Sequence, residues 1–418
     1  MRCFMKYLFS FFYISLFLLG GRSALYAQQL ARTADRQNVV SGSKITNKLQ
    51  LKWKVQTGGL LYGSPIVYED QVFIGSCDST LYALDKHNGS IIWRYKTDGE
   101  VRSTVAIDQQ MLFFLSSDGI FYALDVHSGT LLWTFETQGE RLYDTWDYFQ
   151  SSPAVEAGTV FFGSGDHHVY ALDAKSGKLI WKFKTGGIVH AAPTVTAKEV
   201  MVGSFDGYFY CLEKNGDLRW KFKTIGEHYF PKGEIQFHAV AADSSVYFGS
   251  RDFNIYALKI KDGSGHWVYH QPGSWTSVPS LAGKKLIVTM SDSYSVLVLD
   301  PVYGGKIVEP AVPLNVFSSA SISDSVAYFG ALDGTLYQLD LLKGEIFPVF
   351  QLDLSKKNSA YFFDEEGRLK SDLQDRYGHD IHKLFRGYLE MGSIFSTVWI
   401  DDATLYFGAA DGAIYALQ

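Results

Sequence analysis

The stretch ALDAKSGKLIWKFKT, residues 171–185, decides the fold of this chain because the order of its landmarks returns several times. An aspartate is followed three residues later by Ser-Gly or Asn-Gly, and a tryptophan comes four residues after the glycine. The same phrase precedes Trp93 and Trp133, and its second half also occurs as LKWKVQT (51–57), LRWKFKT (218–224) and, more weakly, HWVYHQ (266–271). Similarity of this kind within one chain indicates a repeat architecture.

Each copy of the phrase follows two runs that alternate in polarity, such as QVFIGS (71–76) and TLYAL (80–84), with a short polar turn between them. This pattern predicts a β-hairpin. A short apolar run stands before the hairpin and the tryptophan segment follows it, so each repeat is predicted to be a four-stranded meander with strands A to D. Eight B and C pairs can be counted, from Val72/Tyr82 to Tyr406/Tyr415.

The two ends of the chain predict how the repeats close. A D-type segment around Trp53 precedes the first A strand, and the chain stops directly after the eighth C strand at Leu417. The N-terminal strand should therefore complete the last blade, which leaves no free sheet edge. We predict an all-β, eight-bladed β-propeller over residues 51–418, preceded by a signal peptide (1–27) and an N-terminal linker (28–50).

The composition excludes several classes of protein. The chain has 418 residues and a formal charge of −6, from 38 Lys plus Arg against 44 Asp plus Glu. This balance does not suit a protein that binds nucleic acid by neutralising phosphates. The 3 cysteines contain no C-x-x-C, which excludes a disulfide-rich scaffold and a cysteine zinc site.

The N-terminus indicates export. Arg2 and Lys6 precede the apolar stretch LFSFFYISLFLL (8–19), and small residues lead to a cleavage site predicted after Ala27. An uncleaved anchor is the alternative. No later segment is predicted to span a membrane, so we expect a periplasmic or secreted protein.

The tryptophans of the repeat are predicted to hold neighbouring blades together, since a buried indole removes a large apolar area from water. The predicted docking residues are Trp53, Trp93, Trp133, Trp181, Trp220 and Trp267. Val308 and Pro348 stand at the corresponding positions of later repeats, where we expect weaker docking.

These phrases resemble the tryptophan-docking repeats of the pyrroloquinoline-quinone-like (PQQ-like) propeller superfamily, over residues 51–417. The superfamily includes quinoprotein alcohol dehydrogenases and the outer-membrane protein assembly factor B lipoproteins. The resemblance implies the fold, whereas both enzymes and scaffolds share the repeat.

The dehydrogenases typically carry adjacent cysteines, a Ca²⁺ site and a catalytic aspartate. In this chain Cys77 and Cys211 are far apart in sequence, and no calcium ligand set is recognisable. We interpret His167-His168 as a turn, because adjacent histidines on a strand point to opposite faces. The expectation is a non-enzymatic chain with no catalytic residue, metal or cofactor; PQQ with calcium is the alternative.

Three long connections between strand D and the next strand A, at 138–150, 225–235 and 353–392, are predicted to lie on one face of the ring. Two of them mix aromatic and charged residues, which is typical of protein interfaces. The third has the spacing of two short amphipathic helices, which would form either a lid or a partner-binding helix. The predicted partner-binding residues are Arg141, Tyr143, Asp144, Trp146, Asp147, Tyr148, His228, Tyr229 and Trp275.

The leading hypothesis is therefore an exported scaffold that binds protein partners in the cell envelope. A PQQ-dependent dehydrogenase, or a cofactor sensor derived from one, is the second hypothesis. A carbohydrate is the third ligand class, since Trp146, Tyr148 and Trp275 are expected to be exposed and could stack on sugar rings.

Overall fold

Eight blades of four antiparallel strands surround a central axis in the computed structural model, which describes residues 27–43, 45 and 49–418. The short strand Val39–Val40 pairs in parallel with strand A of blade 7. In every blade the strands are hydrogen-bonded in the order A-B-C-D, and the A strands of neighbouring blades contact each other around the axis. Strand D of blade 8 comes from the N-terminus: Leu51–Gln56 pairs with Ala413–Leu417. The predicted eight-bladed propeller, closed by its N-terminal strand, is confirmed.

Each blade contributes one strand of each type, in the order A, B, C, D. Blades 1 to 4 consist of Ile66–Tyr68, Gln71–Ser76, Thr80–Asp85 and Ile91–Lys96; Ala106–Asp108, Met111–Leu115, Ile120–Asp125 and Leu131–Glu136; Ala154–Glu156, Thr159–Gly163, His168–Asp173 and Leu179–Lys184; and Thr194–Val195, Glu199–Gly203, Tyr208–Glu213 and Leu218–Lys223. Blades 5 to 8 consist of Val240–Ala242, Ser245–Gly249, Asn254–Lys259 and Gly265–His270; Thr276–Ala282, Lys285–Met290, Val296–Leu299 and Lys306–Val308; Ser321–Ser323, Val326–Gly330, Thr335–Asp340 and Glu345–Gln351; and Trp399–Asp401, Thr404–Gly408, Ala413–Leu417 and Leu51–Gln56.

The position of a strand in its blade explains its burial. Strands B and C, such as Gln71–Ser76 and Thr80–Asp85, are buried on both faces because blades pack against one another. Strand D, such as Leu179–Lys184, lies at the rim and alternates between exposed and half-buried residues. The core of the molecule therefore lies between the sheets.

All six predicted docking tryptophans contact the next blade. Each indole Nε1–H donates a hydrogen bond of 2.8–3.2 Å to a carbonyl in the next C-to-D turn; the acceptors are Lys86, Val126, Ala174, Lys214, Ile260 and Pro301. Each ring also lies against the glycine of that turn, where a Cβ would come within 2.5–2.9 Å of the indole. The glycine of the phrase therefore has two roles: it allows the positive φ of its own turn, and it leaves room for the tryptophan of the preceding blade. In blade 6, Val308 contacts Gly344 and Lys285 donates to the Leu341 carbonyl instead.

A second repeated contact joins the start of strand C to the turn before it. In seven blades a tyrosine hydroxyl donates to the carboxylate of an aspartate four residues earlier; the pairs are Tyr82–Asp78, Tyr122–Asp118, Tyr170–Asp166, Tyr210–Asp206, Tyr256–Asp252, Tyr337–Asp333 and Tyr415–Asp411. Where the turn meets a D-to-A link, the same carboxylate also accepts a backbone N–H, as Asp78 does from Gly58 at 2.8 Å. The pair thus fixes the turns on one face of the ring. Blade 6 lacks the tyrosine and has Leu297 in its place.

We call the face that carries the D-to-A and B-to-C connections the upper face, and the opposite face the lower face. The segment predicted as a linker, 28–50, packs across the lower face between residues 28 and 40 instead of running free. Its backbone bonds to the A strands of four blades, through Ile107, Val195, Ala241 and Ser321–Ser323. Of the predicted signal peptide, residues 1–26 lie outside the described residues.

Arg36 is the anchor of this lower segment. Its side chain is fully buried and donates to the carbonyls of Pro193 at 2.9 Å and Leu30 at 2.8 Å, with longer bonds of 3.3 Å to Ser152 and Pro153. Burial lowers the pKa of Arg36, and the Asp35 carboxylate opposes that shift. A fully buried guanidinium therefore joins the lower segment to backbone carbonyls next to the A strands of blades 3 and 4.

Candidate functional site

A helical insertion after blade 7 covers the upper face. It contains α1 (Asp353–Phe362), α2 (Leu373–Arg376) and α3 (Ile381–Leu389), with Gly378 at a positive φ of 63° between α2 and α3. The Asp380 side chain accepts the backbone N–H groups of His382 and Lys383 and so caps the N-terminus of α3. The two helices expected from the sequence correspond to α2 and α3, whereas α1 was not predicted.

Helix α3 is attached to the ring by aromatic side chains. The ring centroid of Phe385 lies 4.8 Å from that of Trp146 and 5.9 Å from that of Tyr148. Leu384, Phe385 and Tyr388 are buried, and they join one apolar cluster with Trp275 and Phe317. The insertion is thus a lid on the upper face.

The lid changes the surroundings of the predicted partner-binding residues. Trp275 is only 8% exposed, and Trp146 and Tyr148 are half-buried beneath α3, so the expectation that these three rings are exposed is wrong. The physical reason is that a helix far away in sequence supplies their apolar cover. Of the predicted set, Arg141, His228 and Tyr229 remain exposed.

A buried charge network holds the 138–150 loop. His190, 2% exposed, places Nδ1 at 2.8 Å from Asp147 and Nε2 at 3.0 Å from Glu140. Burial by itself lowers the pKa of His190, but the charge of Asp147 and the hydrogen bonds with Asp147 and Glu140 raise it to about 10. Asp147 also accepts the backbone N–H of Tyr143. Asp147 therefore fixes the loop from inside and does not face a partner.

The 138–150 and 225–235 loops are joined to each other. The Tyr143 hydroxyl donates to Glu234 at 2.8 Å, and Asp144 forms an ion pair of 2.5 Å with Arg251 at the next turn. Gln236 donates to the backbone carbonyl of Trp146 at 2.8 Å. The sequence placed these loops on one face, and the structure shows that they form one connected unit.

Between the lid and the upper face of blades 5 to 7 lies a cavity of about 620 Å³, which we call the lid cavity. Its walls are aromatic and include Trp146, Phe230, Trp275, Tyr294, Phe385 and Tyr388. The polar groups in its wall include Asp292 and Asn315. A second, smaller cavity of about 40 Å³ lies on the channel axis beneath the lid and is lined in part by His190 and His238.

Asp292 differs from its counterparts in the other blades. It follows strand B as the aspartates of the repeated Asp–Tyr pairs do, but the turn of blade 6 is one residue longer and its strand C has Leu297 where the others have tyrosine. Its carboxylate accepts from Ser291 Oγ at 2.6 Å and from Asn315 Nδ2 at 3.3 Å. Desolvation by the surrounding protein raises the pKa of Asp292, although solvent reaches its carboxylate from the cavity.

A sequence model of one protein family, described as the beta-propeller of the beta-alanine-activating enzyme, matches residues 36–341. The chain belongs to this family. A stretch of 109 residues is 30% identical to the mouse beta-alanine-activating enzyme, and 97 residues are 27% identical to the human one. These stretches cover 26% and 23% of this chain but only 10% and 9% of the relatives.

Solved structures share the fold of this family member. BamB from Moraxella catarrhalis aligns with a TM-score of 0.66 and 17% identity, covering 88% of this chain and 99% of that chain. A quinohemoprotein alcohol dehydrogenase from Comamonas testosteroni aligns with a TM-score of 0.70 and 12% identity, covering 93% and 80% respectively. At these identities the likeness concerns the fold, and it confirms the predicted PQQ-like propeller.

Two further properties of the propeller bear on its site. Within residues 27–43, 45 and 49–418, no group of three or more His, Cys, Asp or Glu side chains is arranged to hold a metal ion. In the same part of the chain no helix has the length and hydropathy needed to cross a bilayer.

Asp292 and Asn315 are not among the site residues predicted from the sequence. A signal for Asp292 was nevertheless present, because alignment of the eight C strands shows one leucine, Leu297, in a column of tyrosines. Asn315 comes from the link between blades 6 and 7 and carries no repeat signal.

Proposed function

We propose that this chain is an exported, non-catalytic propeller scaffold that binds a protein partner in the cell envelope through its upper-face loops. The observation that carries the proposal is a set of exposed apolar side chains on two loops that are held rigidly. Leu142 is 55% exposed, Ile225 is 73% exposed and Tyr229 is 76% exposed. Because the loops are fixed by the His190 network and the Asp144–Arg251 pair, ordering them on binding costs little.

The proposal that the chain is non-catalytic rests on His190, the side chain with the clearest potential for acid–base chemistry, because its ring is fully engaged by hydrogen bonds. Both ring nitrogens of His190 are engaged by carboxylates, and the side chain is buried below the 138–150 loop. A substrate could not reach it without displacing that loop. The activity in the name of the curated relatives belongs to proteins about ten times as long as the matched stretch, and we do not carry it over.

The residues present do not fit PQQ with calcium. A flat quinone with three carboxylates needs cationic donors and a slot large enough for its ring system. The cavity on the channel axis measures about 40 Å³, and the lid cavity presents the carboxylate of Asp292. Lys370, at the wall of the lid cavity, donates to the Ala360 carbonyl. A sugar platform is not favoured either, since Trp275 is buried and Trp146 packs edge-on against it at 6.3 Å.

The test is site-specific photo-cross-linking in cells, with the photoreactive amino acid at position 229. Position 303 is the matched control, because Tyr303 is 82% exposed on the lower face. The expected result is a cross-linked envelope protein at 229 that is absent at 303.

Binding of the captured partner can then be measured with purified protein. Each interface anchor contributes about 2 kcal/mol, so a Tyr229→Ala, Leu142→Ala double variant should bind roughly a thousandfold more weakly. The control double variant, Tyr303→Ala with Leu342→Ala, replaces the same residue types at exposed lower-face positions and should bind like the unmodified chain. A partner that responds to the control pair and ignores the upper-face pair would overturn the proposal.

A further inference from the structure

The lid cavity contains an acidic group that the fold does not neutralise. The aspartates of the other seven blades each accept a tyrosine hydroxyl, whereas Asp292 has only Ser291 and Asn315 as side-chain partners. The cationic groups nearby are engaged elsewhere: Lys370 bonds to the Ala360 carbonyl, and Arg251 pairs with Asp144. The cavity therefore presents a carboxylate without a cationic partner among the described residues.

A second acceptor points to the same kind of ligand. Asn315 is 3% exposed, it lines the cavity, and its Oδ1 atom has no hydrogen-bond partner within the described part of the chain, although its Nδ2 donates to Asp292. A buried acceptor without a partner costs about 1–3 kcal/mol, which a donor from a ligand would recover. The unpaired Oδ1 of Asn315 and the unneutralised charge of Asp292 thus both favour a ligand that donates hydrogen bonds.

The remaining wall suits a cation with an apolar body. Trp275, Tyr294, Phe317 and Tyr388 line the cavity, and aromatic faces attract cations. The guanidinium of Arg251 already lies 4.5 Å from the Trp275 ring centroid, so this ring has a cation as one of its neighbours. A volume of about 620 Å³ is within the usual range for sites of small organic molecules.

We propose that the lid cavity binds a small organic amine, whose ammonium group pairs with Asp292 and donates to Asn315 Oδ1 while its apolar body packs against the aromatic wall. Of the anchors of the proposed partner surface, Tyr229 also lines the lid cavity, whereas Leu142 and Ile225 lie outside it. Amine binding is measured on the purified chain without a protein partner, so either proposal can fail without the other. A ligand carboxylate would be repelled by Asp292, and a neutral hydroxyl would gain no ion pair.

The test is calorimetric titration of the purified chain with three compounds of similar skeleton: 2-phenylethylamine, 2-phenylethanol and 3-phenylpropionate. The amine is expected to bind at least about tenfold more tightly than the alcohol, a difference of roughly 1.4 kcal/mol. The carboxylate should bind more weakly than the alcohol. Equal affinities, or no binding by a series of primary amines from butylamine to tryptamine, would overturn the proposal.

Two variants locate the effect. Asp292→Asn should remove the preference for the amine and leave the affinity for the alcohol unchanged. Asp98→Asn is the control, because it removes the same charge from an exposed position in an upper-face link outside the cavity. A preference that survives in Asp292→Asn, or is lost in Asp98→Asn, would contradict the assignment. The comparison of amine with alcohol uses the unmodified chain, so it stands even if a variant fails to fold.

Discussion

Blade 8 and blades 1 to 5 form a docked arc, in which every strand D places a tryptophan on the next blade, whereas blades 6 and 7 do not. In the docked arc the indole bonds to a carbonyl and covers a glycine. In blade 6 Val308 covers the glycine and Lys285 bonds to the carbonyl. Blade 6 also lacks the tyrosine of the Asp–Tyr pair, the lid is inserted after blade 7, and the lid cavity lies above this side. The lid and its cavity thus occur where the repeat of this chain departs from its own pattern.

The largest expected difference between the arcs is in docking. Trp181→Ala removes the ring that covers Gly216 and the 2.8 Å bond to Lys214, and should lower the free energy of unfolding by about 3–5 kcal/mol. Val308→Ala should lower it by about 1 kcal/mol. Chemical denaturation of both variants measures the difference. Similar losses would mean that the tryptophans do not distinguish the arcs.

A smaller effect on stability should distinguish the 138–150 loop from the lid. Charged groups hold the loop, whereas apolar contacts hold the lid. His190→Gln leaves Asp147 and Glu140 without a cationic partner and should cost about 3 kcal/mol near pH 6.5. Because the pKa of His190 is raised to about 10, its stabilisation is fully present below pH 6.5 and is lost as the pH rises towards 10.

The difference in unfolding free energy between the His190→Gln variant and the unmodified chain should therefore shrink between pH 6.5 and 10. Phe385→Ala, which weakens the lid through an apolar contact, is the control and should show a difference that is constant over this range. A pH-independent loss in His190→Gln would show that the imidazole is held neutral.

The smallest expected effect on the free energy of unfolding is the difference between Asp252, which accepts a tyrosine hydroxyl, and Asp292, which does not. Asp252→Asn disturbs the bonds from Tyr256 at 2.6 Å and from the Gly226 N–H at 3.1 Å, and should cost about 1–3 kcal/mol. Asp292→Asn removes no tyrosine bond, and its amide oxygen can still accept from Ser291, so it should change the free energy of unfolding by less than about 0.5 kcal/mol. Thermal melting of both variants tests this, and a larger loss in Asp292→Asn would give Asp292 a structural role.

Much of the ring could be predicted from local sequence. Each repeat contains runs of alternating polarity, turn glycines and a fixed spacing of glycine to tryptophan. Strand order, blade number and the docking residues can therefore be predicted from short stretches of sequence. The burial of Trp275 could not be predicted in this way, because its cover comes from Phe230 in one link and from the lid cluster around Phe385 in another. The packing of segment 28–50 could not be predicted locally either, because its polar residues are typical of a linker. The contacts of Arg36 with the carbonyls of blades 3 and 4 appear only in the folded structure.

Periodicity and chain order are enough to predict the propeller, its closure by Leu51–Gln56 and the face on which the long connections lie. What that face contains depends on the three-dimensional packing of the chain. That packing turned the 353–392 insertion into a lid, placed His190 between two carboxylates, and left Asp292 facing a cavity beside Asn315. The physical reason is that each of these contacts joins residues from different repeats, and a repeat pattern describes a blade and its neighbour but not the side chains that loops bring together above the ring.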